Sequence, residues 1–483
     1  MTDVITGLSP AWESLVATAL ESAAGVTVTR RCADVAELLS VAEAGLGECA
    51  VVSADLRGLD LSLVRRLMER GIAVLGLYPS DDEAAERRLR QLGVTAVLPL
   101  DANAAAIGDV VRRQVERRLP GAASDVGPVG AIAPGSPGGA GSNPPGHLAR
   151  ASADPGEALG LGWGTGSQDS RHEPAGAGWQ PHGEPPQQEA AAAPSAVIAV
   201  WGPTGAPGRT TIAVNVAAEL ATRGHEVLLV DADTYGGCVA QALGLLDEAP
   251  GIAAVCRAAD QGTLDLPALA RLAPFVAPGL RVLTGLPKAE RWPEVRAAAL
   301  ERVLDLSRSL TSLVVIDCGF CIEDDEELSY DTTAPRRNES TLTALGAADA
   351  VIAVGGADPV ALQRFVRALQ ELGTVPSPTP LTVVNRVRAS AVGAGPEQRI
   401  ADSLLRFAGL DAIRFVPDAP DVVDAALLVG RSVVEYAPDS TLRAAFAELA
   451  SAVAPWTDRR AARSRRAWRR RQGAKRMVSP ANV

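Results

Sequence analysis

The stretch Ala196–Val216, AVIAVWGPTGAPGRTTIAVNV, decides how the rest of the chain is interpreted. Its first six residues are an apolar run typical of a buried strand, and a Gly- and Pro-rich turn, Gly202–Gly208, follows at once. The residues Arg209–Thr211 then open the apolar-periodic segment Ile212–Ala221, which predicts a helix. This order predicts a phosphate-binding loop, because glycines expose backbone N–H groups, the helix start is partly positive and a Thr hydroxyl can bind Mg²⁺.

The loop departs from the pattern G-x-x-x-x-G-K-[ST] at two positions. Pro203 stands where the first Gly belongs, and Arg209 replaces the Lys. Arg keeps the positive charge but presents a planar fork instead of a compact ammonium. Pro207 also removes one N–H from the loop. On this stretch alone, an ordinary Gly/Pro turn between a strand and a helix remains an alternative.

The composition is that of a globular protein. The chain has 483 residues, enough for two or three domains, and 47% of them are hydrophobic. No apolar run could span a bilayer, and the first residues lack the features of a signal peptide, so we expect a cytoplasmic protein. The six cysteines are scattered, which indicates reduced thiols. Cys318 and Cys321 form a C-x-x-C without a second pair at zinc-site spacing, so we expect no metal or redox use.

Residues 1–117 are predicted to form a small doubly wound α/β domain, because five candidate strands alternate with five helical patterns. The arrangement resembles a response-regulator receiver domain with Asp55 at the phosphoacceptor position. The acidic pair expected near Thr6–Gly7 and the Lys expected within Leu98–Ala102 are absent. We therefore interpret the domain as a degenerate receiver used for docking, and Asp55 as an ordinary loop carboxylate.

Two segments differ sharply in composition from the rest. Residues 118–195 are rich in Gly, Pro, Ala and Ser without a sustained period, which predicts a disordered linker. In the C-terminal tail, residues 456–483, ten basic residues and no acidic one lie between Arg459 and Arg476. The tail is compatible with contact to an anionic membrane surface or nucleic acid, and equally with a solvated extension.

Residues 196–455 are predicted to form the main domain, a mostly parallel sheet covered on both sides by helices. Four motifs fall at predicted carboxyl ends of strands, where ligands bind in such sheets. These motifs are the glycine loop, Asp231 with Asp233 in VDAD, Asp317 in LVVIDCG, and Asn385 with the Pro417–Asp418 turn. A carboxylate after a strand can position metal-bound water or the attacking water in phosphoryl transfer.

Together these motifs resemble the MinD/ParA family of deviant Walker ATPases, in particular its CpaE-like branch, in which a degenerate receiver and a linker precede the ATPase. The resemblance covers residues 196–455 and implies binding of ATP with Mg²⁺. It implies that the phosphates are held by the loop and the start of its helix, namely Gly205, Ala206, Gly208, Arg209, Thr210 and Thr211.

The resemblance also assigns the remaining site residues. Thr210 would contact Mg²⁺, Asp317 would be the Walker B acid, and Asp231 is a further candidate near the metal. Asp233 would position the hydrolytic water. The adenine would be framed by Asn385, Pro417 and Asp418.

One departure from the family pattern affects the chemistry. The family's signature lysine falls at Thr204, which cannot supply a charge. The segment after Asp317 occupies the switch II position and ends in Arg336 and Arg337. Our hypothesis is that one of these two arginines, Arg337 in particular, replaces the missing cation, since a positive charge accelerates phosphoryl transfer. A solvated loop whose charges compensate each other is the alternative.

The function implied by the resemblance is a slowly hydrolysing ATP switch for spatial positioning, either of the septum site in cell division or of a pilus-assembly machine. Its partners would be a second copy in an ATP-dependent homodimer and a protein bound by the receiver-like domain. The tail also allows a peripheral location at the inner face of the membrane. The alternatives are a nucleotide-binding scaffold that does not hydrolyse ATP and a metabolic enzyme of the same superfold, such as a nucleotide-dependent ligase or an iron–sulfur reductase.

Overall fold

The computed structural model describes residues 1–117, 195–205, 208–245, 251–324 and 335–453. These residues belong to one compact unit and contain a five-stranded and an eight-stranded sheet. The predicted linker, apart from Ser195, and the predicted basic tail lie outside the described residues.

The first sheet is parallel throughout and has the strand order β2-β1-β3-β4-β5. Its strands are β1 (Thr2–Gly7), β2 (Val26–Cys32), β3 (Cys49–Ser53), β4 (Ala73–Tyr78) and β5 (Ala96–Pro99). They alternate with α1 (Glu13–Glu21), α2 (Val35–Glu43), α3 (Leu61–Glu69), α4 (Glu83–Gln91) and α5 (Ala104–Glu116). The predicted small α/β domain is thus confirmed as a doubly wound sheet.

Side-chain caps and apolar burial explain these elements. Every residue of the central strand β3 is buried, as expected for a parallel strand covered on both faces. Four of the five helices begin with a side chain that accepts a hydrogen bond from a backbone N–H of the first turn. These capping residues are Asp34, Asp60, Asp82 and Asn103.

The second sheet has the strand order β13-β12-β11-β6-β10-β7-β9-β8. Its strands are β6 (Ala196–Trp201), β7 (Val227–Ala232), β8 (Phe275–Ala277), β9 (Leu280–Leu283), β10 (Leu313–Cys318), β11 (Ala350–Gly356), β12 (Leu381–Val387) and β13 (Ile413–Pro417). Among the described strands, β8 alone runs antiparallel to its neighbour. The predicted mostly parallel sheet of the main domain is therefore confirmed.

Helices cover both faces of this sheet over two separate apolar cores. They are α6 (Arg209–Thr222), α7 (Val239–Ala242), α8 (Gly251–Asp260), α9 (Leu266–Leu272), α10 (Ala297–Leu310), α11 (Glu339–Ala347), α12 (Pro359–Leu372), α13 (Ala389–Val392), α14 (Pro396–Ala408), α15 (Pro420–Leu428) and α16 (Val433–Tyr436). A 3₁₀ helix spans Ala289–Glu294, and residues 441–453 are helical. Within the described ranges, no helix has the length and apolar character needed to cross a membrane.

The first α/β part contacts the main domain directly, which was not predicted from the sequence: α3 lies against α10, and α4 lies against the turn after α8. An ion pair joins Arg65 to Glu301, and Asp60 lies 3.1 Å from Arg296. The turn after α8 also packs closely, because a Cβ added at Gly262 would lie 2.8 Å from Cγ of Leu92. Charged and apolar contacts therefore connect the two α/β parts.

At this contact, the ionised carboxylate of Asp260 is unfavourable to folding. It lies 4.0 Å from Arg296, and its Oδ1 is buried without a partner in the described structure. Burial raises the pKa of Asp260 from 3.8 to about 6; Arg296 opposes this effect and the nearby Asp60 adds to it. The ionised form of Asp260 therefore destabilises the fold.

Replacing Asp260 with Asn should stabilise the protein at neutral and basic pH. Because the pKa of Asp260 is higher in the folded chain, the folded protein keeps this carboxyl protonated between pH 3.8 and about 6, where the unfolded chain releases the proton. The loss of stability from burying the ionised carboxylate is therefore complete only above about pH 6. We expect D260N to raise the free energy of unfolding by on the order of 1 kcal/mol near pH 8 and not near pH 4, measured by urea unfolding. D305N, at an exposed position of α10, is the control. An equal gain at both pH values would contradict this prediction.

Candidate functional site

The glycine loop leaves β6 at the carboxyl edge of the second sheet, between the ends of β10 and β11. Gly205 and Gly208 have φ of 69° and 92°, in the left-handed region that favours glycine. Helix α6 begins directly after Gly208, so its unpaired N–H groups face the loop. The loop therefore has the shape of an anion cradle; Ala206 and Pro207 lie outside the described residues.

Thr210 and Asp317 form the closest polar contact of the site. The Thr210 hydroxyl donates to Oδ2 of Asp317 at 2.5 Å, and Asp317 is 1% exposed. Its Oδ1 has no partner in the described structure. Burial, followed by the charge of Asp231, raises the pKa of Asp317, while the Thr210 hydrogen bond lowers it. A hydroxyl beside a carboxylate with an unsatisfied oxygen fits the oxygen ligands that Mg²⁺ prefers.

Asp231 lies deeper in the turn that follows β7. Its carboxylate accepts hydrogen bonds from the backbone N–H groups of Val239 at 3.0 Å and Asp233 at 3.3 Å. A Cβ added at Gly237 or Gly285 would come within 2.9 Å or 2.5 Å of the same group. Burial raises the pKa of Asp231, although these backbone hydrogen bonds oppose the shift. Asp231 therefore orders the turn through both of its oxygens.

Asp233 and Arg209 form an ion pair of 3.1 Å, with side chains 6% and 14% exposed. The other oxygen of Asp233 accepts from the N–H groups of Tyr235 at 2.8 Å and Gly236 at 3.2 Å. Arg209 also donates to the backbone carbonyls of Cys318, Gly202 and Pro203. The Arg209 side chain thus lies along the glycine loop. A phosphate bound in the loop would compete with Asp233 for the positive charge of Arg209.

The two arginines after Asp317 have different surroundings. Arg336 lies 2.5 Å from Asp324 and 2.7 Å from Glu339, so its charge is compensated. Arg337 donates to the carbonyl of Thr234 at 3.1 Å, and its guanidinium carbon lies 3.8 Å from the ring centroid of Tyr235. Its Nε is buried and has no partner in the described part of the chain. Arg337 therefore contacts the turn directly after Asp233.

Asn385, on β12, lies against Gly208 of the glycine loop. A Cβ added at Gly208 would be 2.3 Å from Nδ2 of Asn385. The next residue, Arg386, has φ of 58°, and the pairing of β12 with β13 is irregular at this point. A non-glycine residue in this conformation costs on the order of 1–3 kcal/mol and is typical of functional sites.

Pro417 ends β13 beside this irregularity, and the N–H of Asp418 donates to the Val387 carbonyl at 3.1 Å. Arg388 lies 3.6 Å from the Asp418 carboxylate. The structure thus brings Asn385 against the loop and places Pro417 and Asp418 at the end of the strand next to β12.

Two residues at the site were missed by the sequence analysis. Asn215 is 3% exposed; it donates to the Thr211 carbonyl at 2.8 Å and accepts from the N–H of Val433 at 2.7 Å. A polar residue in the otherwise apolar segment of α6 was the available signal. Arg364 on α12 lies against Gly205, where an added Cβ would be 2.6 Å from its NH1 atom. No sequence motif pointed to Arg364.

In the first sheet, Asp55 accepts hydrogen bonds from Ser9 Oγ at 2.7 Å and Trp12 Nε1 at 3.2 Å. Burial raises its pKa, but these bonds and one from Ser53 outweigh that effect, so the net pKa is lowered. The carboxylate is therefore ionised and held by neutral donors.

Residues 198–428 match the family model described as the CobQ/CobB/MinD/ParA nucleotide binding domain. This match supports the superfamily that the motifs indicated. No curated protein matches the chain.

Several solved structures are similar to part of the chain. A ParA family ATPase from Chlorobium tepidum TLS is 20% identical, with 53% of this chain and 98% of that one covered and a TM-score of 0.45. The septum site-determining protein MinD from Pyrococcus horikoshii OT3, solved with Mg-ADP, is 20% identical, with 54% and 96% covered and a TM-score of 0.43. An ATP complex of a Cyanothece McdA variant is 15% identical, with 54% and 96% covered and a TM-score of 0.42.

Replacing Gly208 with Ala should lower the free energy of unfolding by more than the cost of its left-handed φ alone. Gly224, at the end of α6, has a similar φ of 87°, but an added Cβ there would meet nothing within 4 Å. We expect G224A to cost about 1 kcal/mol of unfolding free energy and G208A to cost about 2 kcal/mol more, because it also collides with Asn385. Urea unfolding of both variants measures the difference. Equal losses would contradict the close contact.

Proposed function

We propose that residues 195–453 bind Mg-ATP at the glycine loop and use the bound nucleotide as a molecular switch. The observation that carries the proposal is the contact between Thr210 and Asp317. The Thr210 hydroxyl, at the start of α6, donates to one oxygen of the buried Asp317 carboxylate, and the other oxygen has no partner in the described structure. The left-handed glycines and the family match of residues 198–428 support the same site.

In this proposal the predicted residues bind three parts of the ligand, namely the phosphates, Mg²⁺ and the adenine. The N–H groups at the loop and the start of α6 and the charge of Arg209 bind the phosphates. The Thr210 hydroxyl holds Mg²⁺, and Asp317 orients it; when bound, the ion neutralises phosphate charge. By the family resemblance, Asn385 with Pro417 and Asp418 frames the adenine.

Hydrolysis requires Asp233 to orient a water molecule, and this carboxylate is paired with Arg209 in the structure. If the nucleotide phosphates draw Arg209 away, Asp233 gains a free oxygen that can accept a hydrogen bond from water. If the ion pair persists, the domain binds nucleotide without turnover. That observation favours the non-hydrolysing scaffold as the second candidate, and an ATP turnover assay on the whole chain distinguishes the two.

The biological role that we propose rests on the family resemblance. We propose spatial positioning, of the septum site or of a pilus-assembly machine, with the CpaE-like order of degenerate receiver, linker and ATPase. The first sheet would bind a protein partner, and nucleotide would control a homodimer. In the structure, α3 contacts the main domain through the Arg65–Glu301 and Asp60–Arg296 pairs, so this side of the first sheet is occupied within the chain.

The binding site is tested by titrating the whole chain with ATP, with and without Mg²⁺, by calorimetry. We expect wild type to bind Mg-ATP and T210V to lose at least about tenfold in affinity with Mg²⁺ but little without it, since the hydroxyl acts through the ion. T222V, at the far end of α6, should behave as wild type. Folded wild-type protein that does not bind Mg-ATP would overturn the proposed function.

Replacing Arg337 with Ala tests the hypothesis that it supplies the missing cation. Because Arg337 contacts the turn after Asp233 and bears no carboxylate partner in the described structure, we expect R337A to slow ATP turnover about tenfold or more and to weaken dimerisation. Turnover is measured by phosphate release and dimerisation by sedimentation. R336A is the control, since Asp324 and Glu339 already compensate that charge. Unchanged turnover and dimerisation in R337A would refute its role.

A further inference from the structure

Helix α12 presents an arginine to the glycine loop. It follows β11, the neighbour of β6, and begins at the capping residue Asp358, which accepts from the N–H groups of Val360 and Ala361 at 3.1 Å and 3.0 Å. The rotation of the helix is fixed by Phe365, which is completely buried against Gly355 of β11. A Cβ added at Gly355 would lie 2.3 Å from the Phe365 ring.

With Phe365 held in the core, the preceding residue, Arg364, extends over the loop. A Cβ added at Gly205 would lie 2.6 Å from NH1 of Arg364, so the guanidinium occupies the space that a side chain at Gly205 would fill. Arg364 is exposed and makes no hydrogen bond or ion pair within the described residues. Its charge is therefore available at the loop.

The charges around the loop make such a cation useful. Asp231, Asp233 and Asp317 are all buried at this edge of the sheet. The positive charge of Arg209 is already paired with Asp233. A polyphosphate approaching the loop thus meets carboxylates whose field Arg209 only partly offsets, and a second guanidinium lowers that electrostatic cost.

We propose that Arg364 is a second phosphate-binding residue, which contacts the phosphate chain of the nucleotide on the side of the loop opposite Arg337. Arginine suits this task because its planar fork can donate two parallel hydrogen bonds to a phosphate. This inference rests on the proposed function, since it assigns a further ligand to the same nucleotide site.

Arg367 provides a matched control. It lies on the same helix and is likewise exposed, but it lines the groove between α12 and α14 instead of the loop. R364A and R367A therefore remove the same charge from the same helix and differ in whether the guanidinium contacts Gly205. Because both side chains are exposed, neither variant should change the thermal stability appreciably.

The experiment is calorimetric titration of the whole chain with Mg-ATP, Mg-ADP and AMP at low and high salt, for wild type, R364A, R364K and R367A. We expect R364A to bind Mg-ATP about tenfold more weakly, with a shallower salt dependence, while its affinity for AMP changes little. R364K should recover part of the loss, and R367A should match wild type.

The outcomes separate this inference from the proposed function. If wild type binds Mg-ATP and R364A binds it as tightly as R367A does, Arg364 is not a phosphate ligand, while the nucleotide site remains. An equal loss for AMP and Mg-ATP in R364A would show a general effect on the site and would also overturn the assignment. If wild type binds no nucleotide, the proposed function itself is wrong.

Discussion

The hydrogen bond between Thr210 and Asp317 connects the two elements on which the site depends. Thr210 lies in the first turn of α6 and Asp317 near the end of β10, so their 2.5 Å contact joins the helix start to the neighbouring strand. That contact is possible because β6, β10 and β11 are parallel and their carboxyl ends meet at one edge of the sheet. The glycine loop must then turn within the space between those ends, which requires left-handed glycines.

The second constraint is the balance of charge at this edge. Three buried carboxylates lie near one loop arginine, and burial raises the pKa of Asp231 and Asp317. Such a site is electrostatically unfavourable for an anion unless cations offset the carboxylates. The pairing of Arg209 with Asp233 relieves part of this cost without ligand. In the proposed function, hydrolysis of a bound nucleotide therefore depends on whether Arg209 leaves Asp233 for the phosphates.

Much of the fold could be predicted from the sequence, because parallel strands buried on both faces produce apolar runs that need no tertiary information to recognise. The strand Ala196–Trp201 and the strand ending in Asp317 are examples. The short antiparallel strand Phe275–Ala277 was missed, since three residues carry no periodicity. The contact of α3 with α10 was missed because its ion pairs, such as Arg65 with Glu301, join residues far apart in the chain.

For the site, the sequence could indicate which residues reach the carboxyl edge of the sheet but not how their charges pair. Thr210, Asp317 and Asn385 follow strand-end or loop motifs, which local sequence identifies. Whether Arg209 points at a ligand or at Asp233 depends on distances between segments, which no motif encodes. Arg364 shows the same limit more sharply. Its place against Gly205 follows from the packing of Phe365 on Gly355, so a core contact, and not a sequence motif, determines which arginine of α12 reaches the loop.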